Sequence, residues 1–276
     1  MPNTRNEPVL IIGGAGKTGS RVNALLNAQG IATRAVSRST MPSFDWTRPD
    51  TWSAALTGVR SAYVTFQPDL AVDGADAAIA RLSDMARGRG LERVVLLSGR
   101  GEAGAQRAEA ALQASGVPWT IVRASWFNQN FSEGYLRDSV LAGEIALPAG
   151  PVPEPFVDAD DIAEVAFAAL TDFRHANKVY EVTGPRALTF AEAVAEIAAG
   201  LGRPIRYVQI TPEDFMVSLR AYASEPIVRL MHELFAVVLD GRNAHVTDGV
   251  REALGRAPRD FSDYVRRTAR TGVWNQ

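Results

Sequence analysis

Apolar residues in this chain fall into short unbroken runs separated by longer amphipathic stretches. Val9, Leu10, Ile11 and Ile12 form the first run and end in glycines, the pattern of a strand covered on both faces. Residues 18–29 follow with Val22, Leu25 and Leu26 at helical spacing, and Gly30 stands where a C-terminal cap is expected. The rhythm then repeats. It predicts strands over 31–36, 61–66, 93–97 and 119–123, and helices over 51–56, 74–89 and 104–115. Strands that alternate with helices imply a parallel sheet covered on both faces.

Beyond Ala124 the alternation loosens, with Pro148, Pro151, Pro153 and Pro155 marking an irregular stretch. A helix is expected over 158–170, with acids in its first turn, and strands over 178–182 and 205–210. Thr189 and Glu192 form a capping box that opens a helix over 189–200. Residues 212–236 and 246–270 read mainly as amphipathic helices.

Gly13, Gly14, Ala15, Gly16, Lys17, Thr18 and Gly19 fill the turn between the first strand and the first helix. Gly13, Gly16 and Gly19 satisfy G-x-x-G-x-x-G, while Gly14, Gly16 and Gly19 satisfy G-x-G-x-x-G. Both describe dinucleotide binding: the turn needs unusual backbone angles, and a pyrophosphate must approach the main chain at the positive end of the helix. Gly16-Lys17-Thr18 also looks like the end of a Walker A motif, but that motif requires glycine at position 11, which is Ile11 inside the strand. The expected fold class is α/β. A doubly wound, parallel-sheet Rossmann domain over residues 1–125 binds the dinucleotide. A smaller mixed α/β portion over 126–276, mainly helical and interleaved with the first, binds substrate.

The dinucleotide is chosen at the end of the second strand, where an acid would accept from the ribose of NAD and an arginine would pair with the phosphate of NADP. No acid occurs there before Asp45, whereas Arg38 is placed to meet a 2′-phosphate with Ser37 beside it. NADP(H) is therefore the expected cofactor, held by Gly13, Ala15, Gly16, Lys17, Thr18, Gly19, Ser37 and Arg38.

Composition narrows the partners. The chain has 276 residues, a net charge of −2 and 22% charged residues, so it carries no field of one sign to draw nucleic acid or an anionic membrane. It has no cysteine, which removes thiolate chemistry, and His175, His232 and His245 are too scattered for a metal cluster. Residues 1–7 are polar and the run at 9–12 is too short for a signal or a membrane span, so a cytoplasmic protein with a small-molecule substrate is expected. The oligomeric state is not legible in the sequence.

Several segments together resemble the NmrA-like branch of the atypical short-chain dehydrogenase/reductase family: residues 13–19, 93–98 (RVVLLS), 114–123 (ASGVPWTIVR), 126–131 (WFNQNF) and 156–163 (FVDADDIA). Residues 241–245 (GRNAH), 247–249 (TDG) and the closing 261–274 are similar to the ergot alkaloid reductase group. The resemblance implies that Arg38 contacts the NADP phosphate, that Asp45 and Trp46 lie near the adenine, and that Phe66, Gln67 and Pro68 pass beside the ribose and nicotinamide. It also implies that Trp126, Phe127 and Asn130 line the site.

Ordinary members of the wider dehydrogenase family use Y-x-x-x-K, in which the lysine lowers the tyrosine pKa for proton transfer. The only lysines here are Lys17, in the glycine turn, and Lys178, which has Arg174 four residues before it. No tyrosine occurs in 104–115. The chemistry left is hydride delivery from NADPH to an acceptor that is already electrophilic, with imines and iminium ions favoured over quinones, ketones and enones. Ser98, at the carboxyl end of its strand, is a candidate hydrogen-bond donor and cofactor contact, and Tyr135 is a second candidate proton donor. Trp126, Phe127, Phe131, Phe215, Met216, Tyr222 and Met231 are candidates for an apolar pocket where the two portions meet, although Phe215, Met216 and Met231 fit a core by their helical spacing. His232 is read as structural. An alternative function is an NADP-binding redox sensor without turnover, as the founding regulators of the NmrA-like family are understood to be.

Overall fold

A computed structural model describes residues 7–275. In chain order the elements are β1 (Val9–Ile12), α1 (Lys17–Ala28), β2 (Thr33–Val36), α2 (Trp52–Leu56), β3 (Ser61–Val64), α3 (Ala75–Gly88), β4 (Arg93–Gly99), α4 (Ala103–Ala114) and β5 (Trp119–Ala124). They continue as α5 (Arg137–Ala142), β6 (Glu144–Leu147), α6 (Ala159–Thr171), β7 (Lys178–Val182), α7 (Phe190–Leu201) and β8 (Arg206–Gln209). Four more helices close the chain: α8 (Pro212–Arg220), α9 (Glu225–Glu233), α10 (Gly249–Leu254) and α11 (Phe261–Arg270).

The chain divides into two compact units. Unit 1 holds residues 1–124, 160–181 and 249–255, and unit 2 holds 125–159, 182–248 and 256–276. Residues 160–181 fall outside a contiguous second portion because β7 joins the main sheet, beside β5. Unit 1 is built on that sheet, in the order β2-β1-β3-β4-β5-β7. The β1/β2, β1/β3, β3/β4 and β4/β5 pairings are all parallel. Every residue of β1 is buried: Leu10 and Ile12 belong to one core cluster, while Val9 and Ile11 are buried on the opposite side. Alternate side chains point to opposite faces of a strand, so this pattern requires cover on both. From β1 the chain goes to β2 on one flank and then to β3 on the other, which puts a topological switch point at the carboxyl end of β1. Arg21 on α1 pairs with Asp160 on α6 at 2.7 Å, and buried Arg93 donates to the Ala169 carbonyl at 2.6 Å, which fixes α6 to this unit.

Unit 2 contains a separate two-stranded parallel sheet, β6 with β8. A strand at β8 is expected from the pattern, but β6 is not: it is four residues long and alternates exposed and buried. The expected helix over 212–236 is two helices, because Pro226 stands at the start of α9, where proline lacks the N–H an unbroken helix would need. The helix expected over 246–270 is likewise interrupted, at Gly255, whose φ is 70°. The capping box forms as its residues require: Thr189 accepts from the Glu192 N–H, and Glu192 accepts from the Thr189 N–H. Phe131, Phe156, Phe190, Phe261, Tyr264 and Trp274 are buried in one core, which also contains Phe215 and Met231 and against which Met216 packs.

Trp274 closes that core. It is 1% exposed and its Nε1–H donates to the Phe131 carbonyl at 2.7 Å. Truncation to Trp274→Ala should cost about 3–5 kcal/mol of stability, measured by urea denaturation. A loss below about 1 kcal/mol would show that the chain end does not complete the core.

Candidate functional site

The glycine turn lies at the switch point. Gly13 has φ 79°, a left-handed conformation that its missing side chain permits. A Cβ on Gly19 would lie 2.2 Å from the Gly13 carbonyl oxygen, and one on Gly14 would lie 2.6 Å from the Ala35 Cβ. No larger residue fits at either position, so the backbone of α1 comes down directly onto the turn. The Gly16 N–H donates to the Gly13 carbonyl at 2.8 Å and tightens it. Gly16 precedes α1 in an extended conformation, and no side chain caps the helix. The positive end of the helix dipole favours an anion at that point, and this cradle fits the pyrophosphate of a dinucleotide.

Ser37 and Arg38 follow β2 immediately. The loop is held by Thr40, whose Oγ1 accepts from the Ser37 N–H at 2.9 Å and donates to the Pro42 carbonyl at 2.8 Å, and by the Phe44 N–H, which donates to the Ser37 carbonyl at 2.9 Å. Arg38 itself is exposed and makes no side-chain hydrogen bond or ion pair among the described residues. Asp45 accepts from the Thr47 N–H at 2.9 Å and the Thr47 hydroxyl at 2.8 Å. The Thr47 backbone N–H, more than Arg38, holds its carboxyl below the usual range.

Trp46 and Phe66 meet with ring centroids 4.4 Å apart, and Trp46 Nε1 donates to the Thr65 carbonyl at 3.1 Å. Phe44 and Trp52, not singled out from sequence, complete this aromatic cluster at 5.0 and 5.5 Å from Trp46. Gln67 and Pro68 follow Phe66 and are exposed.

Ser98 is placed differently from expectation. It is 4% exposed, and its hydroxyl donates to Glu109 Oε1 on α4 at 2.5 Å. A serine has a single O–H, so the proton expected for a substrate is committed to a buried carboxylate. Arg123 grips both oxygens of Glu109, with its Nε at 2.9 Å from Oε1, and its Nη1 donates to Glu181 at 2.6 Å. The Glu109 carboxylate accordingly raises the Arg123 pKa. Arg100, also buried, reaches Glu181 at 3.3 Å. This network joins β4, β5, β7 and α4 within unit 1.

The other candidates lie in unit 2. Tyr135, just before α5, is 47% exposed. Tyr222 is 78% exposed in the turn between α8 and α9, where the Pro226 break puts it, so it does not wall an enclosed pocket. Phe127 and Asn130 are half-buried. Trp126 is half-buried too. Its ring stands perpendicular to that of Phe190 with centroids 5.2 Å apart and lies 5.0 Å from Phe235, and its Nε1–H has no acceptor among the described residues. Among the described residues no group of His, Cys, Asp and Glu could hold a metal, and no helix is long and apolar enough to cross a membrane.

The sheet order and the glycine turn define a Rossmann-like α/β protein. The model of the NmrA-like family matches residues 106–265. The NAD(P)H azoreductase of Xenophilus azovorans is 31% identical over 94% of this chain and 96% of its own. The chain belongs to the NmrA-like family. Festuclavine dehydrogenase of Aspergillus fumigatus is 28% identical over 93% of this chain and 96% of its own. Among solved structures, Citrobacter sp. triphenylmethane reductase complexed with NADP(H) shares the fold with a TM-score of 0.73 at 18% identity, covering 95% of this chain and 99% of that one.

Asn128, two residues beyond Trp126, is 0% exposed, and neither its Nδ2 nor its Oδ1 finds a partner among the described residues. Leaving a buried polar group unpaired costs about 1–3 kcal/mol, and an apolar residue of the same shape avoids that cost. Asn128→Leu should therefore raise the melting temperature by several degrees. A lower melting temperature in calorimetry would mean that the amide is satisfied in solution.

Proposed function

We propose that this chain is an NADPH-dependent reductase of an apolar, cyclic small molecule that is already electrophilic, with imines and iminium ions ahead of quinones, ketones and enones. The carrying observation is the glycine cradle at the switch point, followed at the end of β2 by Arg38 rather than an acid. An exposed guanidinium with no side-chain hydrogen bond among the described residues suits a 2′-phosphate by charge-assisted hydrogen bonding. Ser37 is beside it, and Trp46 and Phe66 offer flat surfaces to an adenine and to the ribose side of the cofactor.

The bound nicotinamide supplies hydride to an electrophilic carbon. The protein's own part is to bind, orient and exclude water. The main-chain turn at Gly13 to Gly19 takes the pyrophosphate, and the Ser98, Glu109 and Arg123 network stiffens the ends of β4 and β5. Trp126 is the candidate for meeting substrate: an indole face attracts a cationic ring such as an iminium ion, and its N–H has no acceptor among the described residues. An iminium carbon accepts hydride without prior protonation by the protein, which agrees with a Ser98 hydroxyl already committed to Glu109. The azoreductase and dehydrogenase names of these relatives support the same reading. The near-balanced charge supports a small-molecule substrate rather than a polyanion.

The test is a titration with NADPH and NADH, followed by nicotinamide absorbance against cyclic imines, iminium ions, quinones and enones. NADPH should bind more tightly than NADH, and Arg38→Ala should weaken NADPH binding by about 10- to 100-fold while leaving NADH nearly unchanged. Oxidation of NADPH by a cyclic iminium ion establishes the reductase. Tight binding without turnover on any acceptor would favour the redox-sensor reading, and equal affinity for both cofactors would remove the role of Arg38.

A further inference from the structure

Unit 2 contains a cavity of about 350 Å³ between α8 and the α9 segment, lined entirely by its own residues. That volume lies at the lower end of the range of small-molecule sites, about 300 to 1,000 Å³. Its apolar surface comes from Met216 on α8, Val228 on α9 and Val237 in the π-helical turn Leu234–Val238 that continues α9. Val228 is 1% exposed and ties that surface to the unit 2 core, whereas Val237 is 45% exposed.

The charges around this surface divide into two kinds. Arg220 and Glu225 line the cavity and pair with each other at 3.3 Å across the turn between the helices. Arg229 and Glu233 line it too, and neither has a hydrogen bond or ion pair among the described residues. They stand one helical turn apart, at i and i+4, with the cation N-terminal to the acid, which is the weaker order for pairing along a helix. One positive and one negative group are thus left facing the same small apolar cavity. His232, read from the sequence as structural, is exposed on this wall three residues from Arg229.

We propose that this cavity is a binding site for a small zwitterion with an apolar body, of the class of an aromatic or branched α-amino acid. The ligand carboxylate meets Arg229, its ammonium meets Glu233, and its side chain rests on Met216 and Val228. A ligand with only a negative charge would face Glu233 unmatched, and one with only a positive charge would face Arg229 unmatched, so a zwitterion alone complements both. The inference stands on unit 2 by itself and is independent of the reductase reading.

The experiment is a ligand-detected NMR titration of the full-length protein with L-phenylalanine, with phenylpropionate, which lacks the ammonium, and with phenethylamine, which lacks the carboxylate. L-Phenylalanine should bind with a Kd of about 1 mM or below, and about five- to tenfold more tightly than either analogue. Arg229→Gln should abolish the preference over phenethylamine and keep the preference over phenylpropionate, while Glu233→Gln should do the reverse. Both variants should melt as the wild type does, because neither side chain has a protein partner to lose. A general apolar contact would instead shift all three ligands together. Equal affinity for the three ligands, variants that change all three equally, or no saturable binding of L-phenylalanine overturns the proposal.

Discussion

The fold of unit 1 turns on one close approach, that of the Gly13 carbonyl to the backbone of Gly19. A Cβ at position 19 would come within 2.2 Å of that oxygen, so the helix can begin where it does only because the side chain is absent. The consequences spread outward. The turn adopts the left-handed angle at Gly13, α1 points its positive end at the switch point, and β2 delivers Arg38 beyond the same edge of the sheet. An anion-binding cradle with a neighbouring guanidinium follows from packing alone, before any ligand is considered.

The polarity of the second part of unit 1 is set by burial rather than by the turn. Glu109 is 3% exposed, and a carboxylate that far from water requires strong partners. Arg123 supplies two of them and Ser98 the third. In that arrangement the serine is an acceptor toward anything else it meets, and α4 offers no tyrosine to replace its proton. The chemistry that suits such a site needs a good electrophile more than a protein acid. The proposed preference for an iminium ion over a ketone rests on this point, because a ketone oxygen must be protonated as hydride arrives.

Much of unit 1 was legible because buried parallel strands read as unbroken apolar runs. Its strands fall close to their expected positions and the glycine turn sits where its spacing requires. Unit 2 was less legible for physical reasons. β6, at four residues, is too short for its alternation to stand out, and the 212–236 stretch keeps helical periodicity across a real break at Pro226, so the pattern does not show that Tyr222 lies in an exposed turn. Ser98 was recognised as sitting at a strand end, but its partner Glu109 is 11 residues away on another element, and the direction of its hydrogen bond has no sequence signature.

Transfer of label from NADPH deuterated at the nicotinamide C4 tests the central claim most directly, using the acceptor that turns over fastest. With hydride delivered from a cofactor fixed in this cradle, one deuterium appears on the acceptor carbon per turnover, from one face of the nicotinamide and with a single product configuration. Product that carries no deuterium, or label divided equally between the two C4 positions, would contradict the account.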